Sequence, residues 1–149
     1  MNAYLDSSVL VKLYYPEAES ESVERWVFLH QAHLLCTSLH ALEIRNAMNL
    51  KLFRSEISGR QYAEWARRFE QDRSHGVLQN YAPNWSRVFH QAERIVEGSS
   101  RRMGTRSLDI LHIALACDAP TDVFLTNDAR QGHAAEQFGL TVQFVSGLG

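Results

Sequence analysis

Four acids in this chain stand where open α/β proteins place their chemistry: Asp6, Glu43, Asp109 and Asp128. Asp6 closes the short apolar run Ala3–Leu5 and is followed by two hydroxyl residues and a new apolar segment. A buried strand handing the chain to a helix reads this way, and the carboxyl end of such a strand is where ligands bind. Asp128 follows a second strand-like run, Asp122 to Thr126, and Glu43 lies in the second turn of the helix after a third, His33 to Thr37. Asp109 sits in the first turn of an apolar helix that feeds the Asp122–Thr126 strand through a short loop. Helix and strand then run antiparallel, which returns Asp109 to the same edge. Parallel strands would bring all four carboxylates together.

Crowded carboxylates repel one another unless a cation shares their site. Hard oxygen donors in this number suit Mg²⁺ or Mn²⁺, and nothing among them has zinc character. Divalent ions lower the pKa of a bound water, polarise a phosphoryl group and stabilise a leaving oxygen, so the chemistry expected is phosphodiester hydrolysis. Helix N-termini at the same edge would add amide donors for a phosphate. Three of the acids also have a structural alternative. Glu43 could pair with Arg45 or Arg106, Asp109 could serve the helix dipole, and Asp128 could cap its helix. His112, one turn past Asp109, reads as a packed core histidine rather than a ligand.

The elements that must position these acids alternate between strand and helix. Ser7 to Tyr15 reads as a short helix closed by Pro16, and Glu17 to Gln31 as a helix with an acidic start. After the His33–Thr37 strand, Ser38 caps a helix through Phe53, with Leu39, Leu42, Ala47 and Leu50 at helical spacing. Ser58 caps a charged helix from Arg60 to about Ser74, and Val77-Leu78 reads as a short edge strand. Asn84 to Glu97 is helical, Gly98 to Thr105 a loop by composition, and Ser107 the cap of Leu108–Cys117. The Asp122–Thr126 strand, a helix from Ala129 to Phe138 stopped by Gly139, and a strand from Thr141 to Val145 complete the chain. The expected fold class is α/β: a three-layer α/β/α sandwich with a central parallel sheet, residues 1–149 forming one domain.

At 149 residues, 45% hydrophobic and 21% charged, the chain has the composition of a soluble globular protein. No apolar run approaches the ~20 residues of a membrane span, and the N-terminus carries no export signal, so a cytoplasmic location is expected. Cys36 and Cys117 lack metal or redox spacing and read as small buried hydrophobes. The formal net charge is -2, so the basic footprint of a nucleic-acid binder is absent from the chain as a whole. Lys12 and Lys51 are the only lysines; the remaining basic residues are arginines, the side chain suited to bidentate phosphate contacts. Arg67-Arg68 with Arg60 and Arg73, and Arg101-Arg102 with Arg106, could make local phosphate-binding patches, against the alternative of solvated helix faces paired with glutamates.

Four ordered motifs span nearly the whole chain: Tyr4-Leu5-Asp6-Ser7-Ser8-Val9-Leu10-Val11-Lys12-Leu13-Tyr14, Ala41-Leu42-Glu43-Ile44-Arg45-Asn46-Ala47, Ser107-Leu108-Asp109-Ile110-Leu111-His112-Ile113-Ala114-Leu115-Ala116, and Phe124-Leu125-Thr126-Asn127-Asp128. Together they resemble the PIN-domain family and, within it, the VapC-type toxins of toxin–antitoxin pairs. The resemblance implies a Mg²⁺- or Mn²⁺-dependent endoribonuclease in which Asp6 and Asp109 are the main metal ligands. Glu43 and Asp128 would complete the site or hold water. It further implies supporting hydrogen bonds from Ser8 and Thr126, and Asn46, one turn after Glu43, could give another. An RNA substrate, a cognate antitoxin and a homodimer are the implied partners, with no membrane.

Other classes fit less well. A receiver-like phospho-acceptor domain wants acids before Asp6 and a late lysine, and a haloacid-dehalogenase phosphatase wants an aspartate where Ser8 stands. The remaining rival is a non-catalytic module of the same fold that binds RNA or a protein without cutting.

Overall fold

Alternation in the first strand sets the layers. The computed structural model describes residues 1–148, and in it β1 (Asn2–Leu5) sends Ala3 and Leu5 to one core and Tyr4 to another on the opposite face. β2 (His33–Cys36) divides in the same way, Leu34 and Cys36 against Leu35. So does β4 (Val123–Thr126), with Val123 and Leu125 on one face and Phe124 on the other. A sheet buried on both faces needs apolar residues at both phases of its period, which is why these strands read as continuous apolar runs. With β3 (Leu78–Asn80) and β5 (Val142–Phe144) they form one five-stranded sheet, ordered β3-β2-β1-β4-β5. Every pairing is parallel, with Leu5 in register with Leu125 and Leu34 with both Ala3 and Leu78. The expected α/β/α architecture is therefore the observed one.

One face is covered by α1 (Ser7–Leu10), α2 (Ser20–Leu29), α3 (Ser38–Phe53) and α4 (Gly59–Ser74), whose Val9, Trp26, Ile44 and Phe69 join the first core. The other is covered by α5 (Trp85–Ile95), α7 (Ser107–Asp118) and α8 (Ala129–Gln137), through Val88, Ile113 and Ala134. A short α6 (Arg101–Met103) precedes α7. No helix among the described residues is long and apolar enough to cross a membrane.

Several local expectations are corrected. The acidic helix begins at Ser20, because Glu19 takes a left-handed φ of 71° and the Ser20 hydroxyl accepts the Glu17 N–H at 3.0 Å. Glu17 and Glu19 instead face cations, with Lys12 beside both and Lys51 beside Glu17. The buried stripe of α3 is Leu39, His40, Ile44 and Met48, whereas Leu42 is 66% exposed. The α3 cap is Thr37, not Ser38, in a capping box closed by His40 at the third helical position.

Gly98 to Thr105 is not a loop throughout: α5 runs on through a π-helical turn, Val96–Ser100, into α6. Gly98 is there for close packing, since a Cβ would stand 3.0 Å from the Phe138 ring. The buried Ser99 hydroxyl is satisfied within the turn, donating to the Ile95 carbonyl at 2.8 Å. Ser107 is the first residue of α7 rather than its cap; Arg106 holds the cap position and offers no side-chain hydrogen bond there. Both cysteines are free, Cys36 buried and Cys117 half-buried.

Candidate active site

Asp6 is the fixed point of the sheet edge. Its backbone N–H still pairs with Leu125 of β4 at 3.0 Å, while its side chain, 5% exposed, caps α1 by accepting the Val9 N–H at 2.9 Å. Ser8 donates to the same oxygen at 2.6 Å, and Thr126 donates to the other at 2.6 Å. Thr126 also lies 2.5 Å from Gln131 Oε1 and accepts the Asp128 N–H at 3.1 Å. Gln131 in turn donates to the Asp109 carbonyl at 3.2 Å. One chain of hydrogen bonds thus joins the ends of β1 and β4 to the start of α8 and the first turn of α7.

Glu43 and Asp109 complete the edge from the helices. Glu43 Oε2 accepts from Ser7 at 2.7 Å and stands 2.5 Å from His112 Nε2. Burial alone would raise the Glu43 pKa; the hydrogen bond and charge of His112, with help from Ser7 and His40, outweigh it and hold the carboxyl below its ordinary value. Asp109 Oδ2 accepts from Arg106 Nε at 2.9 Å. Arg106 has its pKa raised first by that hydrogen bond and the charge of Asp109, and further by Asp128 and Glu43, so its guanidinium lies in the field of three of the acids. Asp128 caps α8, accepting the Arg130 N–H at 2.8 Å and the Gln131 N–H at 3.3 Å.

The donor set has the chemistry of a Mg²⁺ or Mn²⁺ site, hard carboxylate oxygens at the carboxyl end of a parallel sheet. Its disposition is not that of an assembled coordination sphere. Among the described residues no group of three or more His, Cys, Asp or Glu is placed to hold a metal ion. Each carboxylate is engaged by the protein itself: Asp6 by hydroxyls, Glu43 by His112, Asp109 by Arg106, Asp128 by helix amides.

Of the supporting residues expected, Ser8 and Thr126 both bond Asp6, while Asn46 is exposed and makes no side-chain hydrogen bond among the described residues. Arg67, Arg68, Arg101 and Arg102 are exposed, and none forms a hydrogen bond or ion pair with the four acids. Arg67 bonds Gln71, and Arg68 lies over the Tyr14 ring. His112 is buried, as a packed core histidine should be, and it also reaches Glu43. Its signal in the sequence was the one-turn offset from Asp109. Gln131 and His40 carried none.

A model of the PIN domain matches residues 3–137. The chain belongs to the PIN-domain family. No curated protein matches the chain. Among solved structures, this PIN domain resembles the crystal structure of FitAcB from Neisseria gonorrhoeae, with a TM-score of 0.68 at 19% identity, covering 98% of this chain and 99% of that one. A structure of FitAB bound to an IR36 DNA fragment is similar to the same degree, with a TM-score of 0.68 at 19% identity over 99% and 97% of the two chains. At that identity the likeness speaks for the fold, and it agrees with the all-parallel PIN sheet described above.

Proposed function

We propose that this PIN domain, residues 1–149 acting as one unit, is a divalent-metal-dependent endoribonuclease and the toxin of a VapBC-type pair. The observation that carries the reading is the placement of Asp6, Glu43, Asp109 and Asp128 at one sheet edge within a PIN fold, with Asp6, Asp109 and Asp128 linked through Thr126 and Gln131 and Glu43 held by Ser7 and His112. Asp6 and Asp109 would be the principal ligands of Mg²⁺ or Mn²⁺, with Glu43 and Asp128 completing the site. Bound there, the ion would activate water and stabilise charge on the phosphoryl group and leaving oxygen. Ser8 and Thr126 would hold Asp6 in its rotamer while that happens. Arg106, paired with Asp109 Oδ2, would compete with the ion for that carboxylate.

Arg67, Arg68, Arg101 and Arg102, without an acidic partner among the described residues, are the candidates for holding RNA away from the reacting centre. FitAB was solved with a DNA fragment, and a nucleic-acid setting for this chain is in keeping with that. A protein partner, antitoxin or second copy, is supported by apolar surface: Leu42 and Phe53, 66% and 85% exposed, lie along one face of α3. A cytoplasmic location belongs to the same reading.

Incubating the purified protein with total cellular RNA and Mg²⁺ or Mn²⁺, with and without EDTA, tests the proposal, with Asp6→Asn as control. Discrete fragments that need both the metal and Asp6 are expected. Binding of RNA without cleavage under any metal would favour the non-catalytic module.

A further inference from the structure

Behind Glu43 lies a file of buried polar side chains from three elements. Tyr4, on β1, is fully buried and its hydroxyl lies 2.9 Å from His112 Nδ1. His112, on α7 and 3% exposed, turns its other nitrogen to Glu43 Oε2 of α3, 2.5 Å away. His40 packs on the Tyr4 ring at 4.7 Å between centroids and on His112 at 5.1 Å. It is itself locked, accepting the Thr37 N–H at 3.0 Å and donating to the Leu5 carbonyl at 2.7 Å, one residue before Asp6.

With His112 as the neutral imidazole, the proton inventory allows one consistent arrangement. A tyrosine phenol holds its proton at neutral pH, and the fully buried Tyr4 hydroxyl has Nδ1 as a partner to receive it. Nε2 then carries the imidazole hydrogen and donates it to Glu43. The opposite tautomer would set a nitrogen lone pair against a carboxylate oxygen. Ser7 donates to the same Oε2 at 2.7 Å, so this oxygen is fully engaged, and Oε1 accepts no hydrogen bond among the described residues.

We propose that His112 is a positioning residue of the acidic site: its Nε2–H, in a tautomer set by Tyr4, pins Glu43 Oε2 and leaves Oε1 as the oxygen offered to a metal or its water. The inference rests on the reading of the acids as a metal site for its consequence, and on geometry alone for the contact. A donor behind a ligating carboxylate fixes its orientation, and losing such a partner typically weakens metal binding about 10–100-fold.

The test uses the full chain and two independent readouts. Long-range ¹H–¹⁵N spectra of the histidine side chains, without metal, should show His112 with an unprotonated Nδ1 and a strongly downfield Nε2–H. Glu43→Gln should move that resonance upfield, and Tyr4→Phe should shift the Nδ1 signal, which loses the phenol's hydrogen bond. Mn²⁺ titration calorimetry should then show a loss of about 10–100-fold for His112→Leu and recovery of most of it in His112→Gln, whose amide can still donate. A merely packed histidine predicts the reverse order, Leu tolerated and Gln not. An Nδ1-protonated His112, or an Nε2–H indifferent to Glu43→Gln, overturns the proposal, as does His112→Leu binding Mn²⁺ like the wild type. Absence of Mn²⁺ binding in the wild type itself would remove the metal reading, while the spectra still decide the His112–Glu43 contact.

Discussion

Thr126 donates a 2.6 Å hydrogen bond to Asp6 across 120 positions of sequence, joining the ends of two neighbouring parallel strands at the one buried acid of the site. This bond makes Asp6 a structural residue as well as a candidate ligand.

Asp6→Ala should therefore be costly even without metal. It removes the cap of α1 and the hydrogen bonds that Ser8 and Thr126 donate to the carboxylate, a combined loss of about 2–3 kcal/mol. Asp6→Asn retains a cap acceptor and should lose about 1 kcal/mol or less. Urea denaturation of both proteins checks the order. Equal stability of Asp6→Ala and wild type would show that relief of charge crowding outweighs the lost bonds.

Stability should fall with acid in a window set by His40. Burial lowers its pKa from 6.5 to about 3, so between those values the unfolded chain binds a proton that the folded chain refuses. Stability then rises with pH through this window and is fully present above its upper end. Glu43, held below the ordinary carboxylate value, adds a loss of the same sign at lower pH, as acid passes its folded pKa. Urea midpoints measured from neutral to acid pH should decline, and His40→Gln should flatten the upper part of the decline. An unchanged slope in that variant would assign the effect elsewhere.

Gly132 is the place on α8 where a methyl group should reach the site. A Cβ there would collide with the Phe144 ring and stand 3.2 Å from Thr126 Cγ2. Gly132→Ala should cost about 1–3 kcal/mol by overpacking and disturb the Thr126–Asp6 bond. Gly59→Ala, where a Cβ meets nothing within 4 Å in the first turn of α4, should instead gain about 0.4–1 kcal/mol. Denaturant midpoints of the two variants should move in opposite directions.

Arg106 competes with any cation for Asp109. Exposed pairs of this kind are worth at most about 1 kcal/mol, so Arg106→Gln should tighten Mn²⁺ binding by no more than about 5-fold and leave folding stability nearly unchanged. Calorimetry reads the first and urea the second. Weaker Mn²⁺ binding in the variant would mean that Arg106 supports the site rather than screening it.

Strand runs, helix order and the places of the four acids at strand and helix ends were legible in the sequence because each has a local signature. Apolar runs mark doubly buried strands, hydroxyl and amide residues mark helix starts, and an acid after an apolar run marks a strand end. Local signals failed where a distant partner decided the outcome. Gly98 resembles a loop glycine, yet Phe138 packs against it; Leu42 resembles a core residue, yet it is largely exposed. His112 resembles packing alone until α3 brings Glu43 beside it from 69 positions away. The residue types and order of the sheet edge were thus determined along the chain, where neighbours in sequence set the pattern. Which acid pairs with which donor, and which histidine nitrogen holds the proton, was decided only when α3, α7 and β1 met. A hydrogen bond depends on the position of both partners, and these partners meet only through the packed sheet and its covering helices.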